Sequence, residues 1–322
     1  MDVSGTVIVT GAAGLIGSNL AAALNARGYH NLVAVDHLNH PAKERNLRKL
    51  QFTEFLDKAD FRKRFTAGRQ PPASAVFHLG ACSSTTETNE AYLDDNNLAY
   101  TRELCEWSLR NGARFIYASS AATYGDGSLG YSDDESRIPG LRPLNLYGLS
   151  KQRFDCWALE QGLLGKIAGI KYFNVFGPGE DHKGDMRSVV NKAFRQIEET
   201  GRLELFRSHR PDYKDGRQER DFVYVRDAVA VTLFFLDHPQ VSGIFNCGTG
   251  RTHTWLDLAN AVFKAMGREP AIEFIPMPES IRDKYQYHTL ADIRKLRASG
   301  FTPAFTPLET AVREYARTSA AL

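Results

Sequence analysis

Short apolar runs alternate with helical patterns along the first half of the chain. Runs rich in β-branched residues and bounded by turn signals are typical of buried strands, which we predict at 6–9, 32–35, 75–79, 114–119 and 167–173. Between them, apolar residues recur at helical spacing over 15–27, 92–110 and 147–161. Such a strand–helix series predicts an α/β fold with a doubly wound parallel sheet and right-handed crossovers.

The pattern becomes irregular after residue 176. A helix is predicted near 187–200, and a polar stretch, "RSHRPDYKDGRQER", follows at 207–220. Thr254 and Asp257 fit a capping box at the start of an amphipathic helix, whose apolar face holds Trp255, Leu258, Ala259, Val262, Phe263 and Met266. Helical spacing returns over 308–319. We therefore predict a dinucleotide-binding domain over 1–176 and a smaller, mainly substrate-binding lobe over 177–322, with some of its segments returning to the first domain.

Composition and charge narrow the class of protein. The 322 residues are 43% hydrophobic and 24% charged with a formal net charge of +2, which gives no reason to expect a nucleic acid or a membrane as partner. The longest apolar run, at 229–236, is too short to span a bilayer, and the N-terminus leaves no room for a signal peptide. The cysteines are widely spaced, which predicts reduced thiols rather than a zinc site. We expect a cytoplasmic protein without a metal.

A glycine-rich turn joins the first predicted strand to the first helix. The stretch "VTGAAGLIG" places Gly11, Gly14 and Gly17 there. Glycines let the chain turn tightly and let its backbone approach a pyrophosphate, whose charge the helix N-terminus favours. In this strand–turn–helix context the motif predicts a Rossmann-type dinucleotide site.

The residues after the second strand bear on the choice of dinucleotide. Asp36 follows Gly17 by nineteen positions, where a carboxylate binds the adenosine ribose hydroxyls and favours NAD. Lys43, Arg45 and Lys58 follow closely, and cations there would neutralise the 2′-phosphate of NADP. Solvated surface charges explain each of these cations equally well, so the residues leave NAD and NADP open.

Three further residues predict hydride-transfer chemistry. The stretch "YGLSK" puts Tyr147 and Lys151 four positions apart, on one face of a helix. A phenol with a pKa of about 10 is a poor base unless a nearby cation stabilises its phenolate, which Lys151 would do. Ser120, in "YASSAATYG", would hydrogen-bond the substrate oxygen. Together they predict hydride transfer between a nicotinamide and an alcohol or ketone, with Tyr147 as acid and base.

Longer motifs resemble one enzyme family over nearly the whole chain. They are "HLGACSSTTETN" at 78–89, "NLYGLSK" at 145–151, "YFNVFGPGEDHKG" at 172–184, "RDFVYVRDA" at 220–228 and "KYQYHTLADIRKLRASGF" at 284–301. The sequence resembles the extended short-chain dehydrogenases/reductases that epimerise nucleotide sugars, and within them the ADP-heptose epimerases. The resemblance implies inversion at C6″ of ADP-D-glycero-D-manno-heptose, through a transient 6″-ketone and a bound nicotinamide cofactor.

The resemblance also implies roles for individual residues. The implied catalytic residues are Ser120, Tyr147, Lys151 and Lys183. The implied cofactor contacts are Gly11, Ala13, Gly14, Leu15, Ile16, Gly17, Asp36, His37, Lys43, Lys58, Leu79, Gly80, Ala81, Cys82, Ser83, Asn96, Tyr147, Lys151, Val175 and His182. The implied substrate contacts are Ser120, Asn174, Asp185, Lys192, Phe206, Arg220 and Tyr285. The implied cofactor is NADP, with NAD as the alternative, and the implied assembly is a homo-oligomer, with a pentamer as one candidate.

Two substrate-side features depart from the better-known pattern of these enzymes. Asp185 and Lys192 stand where serine and histidine are expected, and the loop "HRPDYKDGRQE" is longer. The exact nucleotide-heptose, and whether it serves envelope lipopolysaccharide or a secondary metabolite, therefore stays open.

The loop lysine distinguishes between mechanisms. Inversion at C6″ requires the sugar end to turn between hydride removal and hydride return, so its oxygen needs a second proton partner, for which we predict Lys183. A UDP-hexose 4-epimerase does not need that lysine, and a 4,6-dehydratase needs carboxyl groups where Ala121 and Ala122 stand. A dinucleotide-sensing regulator would have no use for the serine, tyrosine and lysine set.

Overall fold

The computed structural model describes residues 3–282 and 285–319. Met1 at the N-terminus and Lys284, the first residue of the late motif, lie outside the described residues. The strands are β1 Val7–Thr10, β2 Leu32–Asp36, β3 Glu54–Asp57, β4 Ala75–His78, β5 Arg114–Ser120, β6 Ala168–Tyr172, β7 Asn174–Phe176, β8 Leu203–Phe206, β9 Glu219–Arg220, β10 Phe222–Tyr224, β11 Gly243–Cys247, β12 His253–Thr254 and β13 Ile272–Ile275.

The helices alternate with these strands. They are α1 Leu15–Ala26, α2 Pro41–Leu47, α3 Lys58–Thr66, α4 Glu90–Leu93, α5 Tyr100–Arg110, α6 Leu146–Glu160, α7 Val189–Thr200, α8 Val225–Asp237, α9 Trp255–Ala265, α10 Glu279–Arg282, α11 Arg294–Ala298 and α12 Leu308–Ser319. The predicted helix over 92–110 is α4 and α5 joined by a π-helical segment, Asp94–Ala99. Short 3₁₀ segments cover Ala121–Tyr124, Glu135–Gly140 and Asp181–Met186.

A seven-stranded parallel sheet forms the centre of the protein. Its strand order is β11-β6-β5-β4-β1-β2-β3, and every neighbouring pair is parallel. The predicted α/β fold with a doubly wound parallel sheet is confirmed. The pattern missed β3, because its residues are only half-buried and include two carboxylates, so no apolar run marks it.

Helices cover both faces of the sheet because its strands are apolar on both sides. Along β1, Val7 and Val9 pack into one buried cluster and Ile8 packs into the other. The first cluster includes residues of α1 and α8, and the second includes residues of α3, α5 and α6. The carboxyl ends of the strands are left free between these layers, where such folds bind ligands.

The second half of the chain builds a smaller lobe around a third buried cluster. Its two-stranded pairs are β7 with β10, β8 with β13, and β9 with β12, and its main helices are α7, α9 and α12. Thr254 and Asp257 form the predicted capping box at the start of α9, whose apolar face lies in this cluster. The chain also re-enters the large sheet, because β11 pairs with β6. Among the described residues, no helix is long and apolar enough to cross a membrane.

Candidate active site

A cleft of about 560 Å³ opens at the carboxyl ends of the central strands. Its walls are the glycine-rich turn after β1, the ends of β2, β4 and β5, the start of α6, and the segment from Tyr172 to Met186. All four predicted catalytic residues line it, and so do all the predicted cofactor residues except Ala13. The tertiary structure therefore brings together residues from segments that are far apart in the sequence.

The glycines of the turn are required by close backbone approach. Gly11 has φ of +69°, and a Cβ there would lie 2.7 Å from the Gly80 amide nitrogen. A Cβ at Gly17 would lie 2.0 Å from the Gly11 carbonyl oxygen. Gly14 caps α1 without a side chain, so the first amides of that helix face the cleft uncovered. A helix N-terminus of this kind favours a bound phosphate.

The Asp36 carboxylate is enclosed by donors of the protein itself. Its Oδ1 accepts from Lys43 Nζ at 2.8 Å and from the His37 amide at 2.7 Å, and its Oδ2 accepts from the Ala13 amide at 2.9 Å. Ala13 thus lies behind the cleft wall and orients Asp36. Close to Lys43, His182 Nδ1 is buried and has no hydrogen-bond partner in the part of the chain that the structure describes. Burial together with the Lys43 charge lowers the pKa of His182 to about 4. The imidazole is neutral at pH 7.

Ser120, Tyr147 and Lys151 meet on the wall formed by β5 and α6. Asn145 caps α6, and its side chain accepts from the Gly148 amide at 2.8 Å, so Tyr147 lies in the first turn and Lys151 one turn later. Lys151 Nζ donates to the Ala118 carbonyl at 2.8 Å, and burial lowers the pKa of Lys151 to about 8, against the opposing charge of Asp155. Burial raises the pKa of Tyr147, and a hydrogen bond with Ser120 partly offsets that rise.

A buried ion pair lies beneath this wall, and sequence reasoning missed it. Lys171 Nζ lies 2.6 Å from Asp155 Oδ2, and both side chains are almost fully buried. Asp155 also accepts from Tyr117 and Ser119, while Lys171 donates to Thr123, whose hydroxyl donates to the Ser120 carbonyl. The one local signal was that Asp155 follows Lys151 by four positions on α6, the spacing of one helical face.

Lys183 lines the cleft from a separate part of the chain, the segment Asp181–Met186. Gly184, with φ of +52°, interrupts the helical turn immediately after it. Among the described residues, no group forms a hydrogen bond or ion pair with the Lys183 ammonium. Burial lowers the pKa of Lys183, and the carboxylate of Glu180 opposes that shift. An amine of this kind exchanges its proton more readily near neutral pH than an exposed lysine does.

The predicted substrate residues other than Ser120 do not line this cleft. Asn174, Asp185 and Lys192 are exposed, and Phe206 is half-buried at the end of β8. Arg220 is buried, with its guanidinium carbon 5.2 Å from the Tyr285 ring centroid and 5.5 Å from that of Trp255. Phe206 and Arg220 lie on β8 and β9, and Tyr285 lies in the segment before α11.

Arg220 is held by backbone carbonyls. Its guanidinium donates to the backbone carbonyls of Glu219, at 2.8 Å, and Gln286, and within the described part of the chain it forms no ion pair. Burial lowers the pKa of Arg220. A buried, always charged fork held between aromatic rings is suited to an anionic ligand.

Metal ligands are not grouped in the part of the chain that the structure describes: no set of three or more histidine, cysteine, aspartate or glutamate residues there is placed to hold a metal ion. The four cysteines are free thiols, and Cys82 lines the cleft.

The chain is similar to known proteins in sequence and in fold. The chain is 52% identical, over 96% of both chains, to an ADP-L-glycero-D-manno-heptose-6-epimerase of Nitratidesulfovibrio vulgaris. Its fold matches the crystal structure of the Helicobacter pylori ADP-L-glycero-D-manno-heptose-6-epimerase with a TM-score of 0.81 and 25% identity, over 99% of this chain and 97% of that one. It also matches MoeE5 in complex with UDP-glucose and NAD, with a TM-score of 0.79 and 25% identity, over 98% and 99%.

A family model, described as the NAD dependent epimerase/dehydratase family, matches residues 7–248. That range includes the glycine-rich turn, the wall formed by β5 and α6, and the loop that carries Lys183. The chain belongs to the NAD dependent epimerase/dehydratase family.

Proposed function

We propose that this protein inverts C6″ of ADP-D-glycero-D-manno-heptose to give ADP-L-glycero-D-manno-heptose. The observation that carries the proposal is the shared cleft: Ser120, Tyr147 and Lys151 line it from β5 and α6, and Lys183, whose ammonium forms no hydrogen bond or ion pair with the described residues, lines it from the segment Asp181–Met186. The relative of Nitratidesulfovibrio vulgaris, 52% identical over nearly the whole chain, supports the choice of the heptose over other nucleotide sugars.

The cleft fits a nicotinamide dinucleotide on two observations. Gly14 caps α1 with no side-chain hydrogen bond to the helix, and among the described residues the buried His182 Nδ1 has no hydrogen-bond partner. Gly11, Gly14 and Gly17 would hold its pyrophosphate. When bound, the nicotinamide supplies hydride acceptance from C6″ and hydride return to the opposite face.

Tyr147 and Lys183 divide the proton transfers between two orientations of the sugar. In one orientation Tyr147 holds or releases the proton of the C6″ oxygen, while Ser120 donates a hydrogen bond and the Lys151 charge stabilises the phenolate. After the sugar end turns, the same oxygen faces the other wall, where Lys183 is the proton partner. Burial lowers the pKa of both amines, which keeps their protons labile near neutral pH.

Within this proposal the dinucleotide is NADP. Lys43 neutralises Asp36 at 2.8 Å, so the carboxylate that would otherwise repel a 2′-phosphate carries a cation beside it. The homo-oligomer, with a pentamer as one candidate, stays a prediction. Analytical ultracentrifugation would measure the oligomeric state.

The experiment is turnover without added dinucleotide. Because the hydride returns to the substrate, the purified protein should convert ADP-D-glycero-D-manno-heptose to its C6″ epimer on its own, as measured by NMR of the sugar. Mass spectrometry of the nucleotide released on denaturation should show NADP. UDP-glucose serves as the control substrate and should give no 4-epimer. A requirement for stoichiometric external NADPH would contradict the proposal.

The ADP pyrophosphate is assigned to Arg220. Its buried guanidinium, which forms no ion pair with the described residues, is charged and geometrically suited to phosphate oxygens. Arg220→Ala should raise KM by about 10-fold or more, on the scale of a charged hydrogen bond, with a smaller change in kcat. Arg313→Ala, at an exposed arginine of α12, is the control. An unchanged KM for Arg220→Ala would remove this assignment and leave the chemistry at C6″ standing.

A further inference from the structure

Two asparagine side chains join the loop of Lys183 to the dinucleotide-binding side of the cleft. Asn46 of α2 donates from Nδ2 to the Ala13 carbonyl and to the Gly179 carbonyl, both at 2.9 Å. Asn19 of α1 donates from Nδ2 to the Leu15 carbonyl and to the Pro178 carbonyl, both at 2.8 Å. Each amide therefore bridges the region of the glycine-rich turn and the segment that leads to Lys183.

The donor geometry of these amides leaves no alternative orientation. All four contacted atoms are carbonyl oxygens, which accept and never donate, so the nitrogen of each amide must face them. An amide nitrogen carries two hydrogens, and in both residues one hydrogen goes to each side. Both donors of Asn19 and of Asn46 are thus used in holding two distant segments together.

The contact is close on the loop side. Gly179 has φ of +102°, and a Cβ there would lie 3.2 Å from Ser18 Oγ, 3.5 Å from Asn19 Nδ2 and 3.6 Å from Asn46 Nδ2. The loop backbone therefore lies directly against α1 and α2. A glycine at this position adopts the required φ at little cost.

Glu180 connects Gly179 to Lys183 through hydrogen bonds within the loop. Its buried carboxylate accepts from the Gly177 amide at 3.3 Å and from the Ser188 amide and hydroxyl, the latter at 2.7 Å, which closes the loop at both ends. Its carbonyl accepts from the Lys183 amide at 3.0 Å. A continuous set of hydrogen bonds and covalent bonds thus runs from Ala13 through Asn46, Gly179 and Glu180 to Lys183.

We propose that Asn19 and Asn46 are positioning residues that hold the Lys183 loop in register with the glycine-rich turn. The proposal rests on the proposed function, because it gives Lys183 a reason to be placed accurately: a catalytic group displaced by about 1 Å loses on the order of 100-fold in rate. The Lys183 ammonium forms no hydrogen bond or ion pair within the described residues, so its position depends on the loop backbone, and the two amides fix that backbone.

The test replaces each amide by an isosteric carboxylate. Asn19→Asp and Asn46→Asp remove the N–H donors and set a carboxylate oxygen against carbonyl oxygens. The matched control is Asn25→Asp, because Asn25 is also half-buried on α1 and also donates from Nδ2 to two carbonyls, those of Tyr29 and Gln51, away from the cleft. Asn46→Ala removes the donors without adding a charge, if the carboxylate variant does not fold.

The first measurement follows Lys183 directly and does not depend on turnover. Acetic anhydride acylates unprotonated amines, and peptide mass spectrometry gives the rate at Lys183 relative to the exposed Lys166 in the same sample. In Asn19→Asp and Asn46→Asp the ratio and its pH dependence should move by about 3-fold or more toward an exposed lysine. In Asn25→Asp they should stay as in the unchanged protein.

The second measurement is epimerisation. Asn46→Asp should lower kcat by about 10- to 100-fold with KM within about 3-fold, because the substrate still binds while one proton partner is displaced. If the acylation of Lys183 changes and turnover does not, the positioning role stands and the catalytic role of Lys183 in the proposed function fails. If acylation stays unchanged in both variants, or changes equally in Asn25→Asp, the positioning role is wrong.

Discussion

Lys151 and Lys183 face one cleft from two walls that are built in different ways. Lys151 stands on α6, donates to the Ala118 carbonyl and lies near Asp155, which is held at 2.6 Å by Lys171. Lys183 stands in a loop, and its ammonium forms no bond to the described residues. Burial lowers the pKa of both amines.

The difference separates two ways of placing a proton-transfer group. On the wall of β5 and α6, burial lowers the pKa of Lys151 and the charge of Asp155 on the same helix opposes that shift, so position and pKa are fixed together. On the loop wall, position comes from backbone carbonyls held by Asn19 and Asn46, and one carboxylate, Glu180, opposes the lowered pKa of Lys183. We expect substitutions in the wall of β5 and α6 to destabilise the fold. We expect substitutions in the loop to lower turnover while the protein stays folded.

Breaking the buried ion pair should give the largest effect. Asp155→Asn leaves the Lys171 ammonium buried without its carboxylate, which should lower the free energy of unfolding by about 3 kcal/mol or more. The control, Asp237→Asn, breaks an exposed ion pair with Arg27 at 2.8 Å and should cost less than about 1 kcal/mol. Urea unfolding followed by circular dichroism measures both. If both variants lost the same free energy of unfolding, the buried ion pair would stabilise the protein no more than the exposed one does.

Removing the loop amine should leave the fold intact and lower the rate. Lys183→Met should reduce epimerisation by roughly 100-fold or more, the scale of losing an acid/base group, while dinucleotide content and stability stay unchanged. Lys166→Met, at an exposed lysine, is the matched control and should keep full turnover. Turnover of Lys183→Met close to that of the unchanged protein would show that Lys183 is not an acid/base group of the reaction.

The smallest effect is a pH dependence set by Lys151. Its pKa of about 8 means that the ammonium loses its proton as pH rises through 8, and the phenolate of Tyr147 then loses the charge that stabilises it. Because kcat/KM reports the protonation of the enzyme before the substrate binds, its value at pH 8 should be about half of the plateau. It should fall further above pH 8. Circular dichroism at pH 9 checks that the protein stays folded. A kcat/KM that kept rising to pH 9 would show that Lys151 does not act through its charge.

The sequence by itself determined the features that depend on near neighbours in the chain. The five predicted strands begin and end within one residue of the observed β1, β2, β4, β5 and β6, because buried strands need continuous apolar runs. The turn at Gly11, the helical face shared by Tyr147 and Lys151, and the capping box of Thr254 are likewise local. The motif resemblance extended this to the family, which the comparisons confirm.

Only the tertiary structure decided which distant segments meet. β11 pairs with β6, Lys171 pairs with Asp155, and Asn46 contacts Ala13 and Gly179, yet no spacing in the sequence specifies these partners. Nor does any spacing in the sequence show that Arg220 and Tyr285 do not line the cleft. The physical reason is that the periodicity of apolar side chains shows which face of a helix or strand is buried. The element that packs against that face depends on how distant segments fold together into the buried clusters.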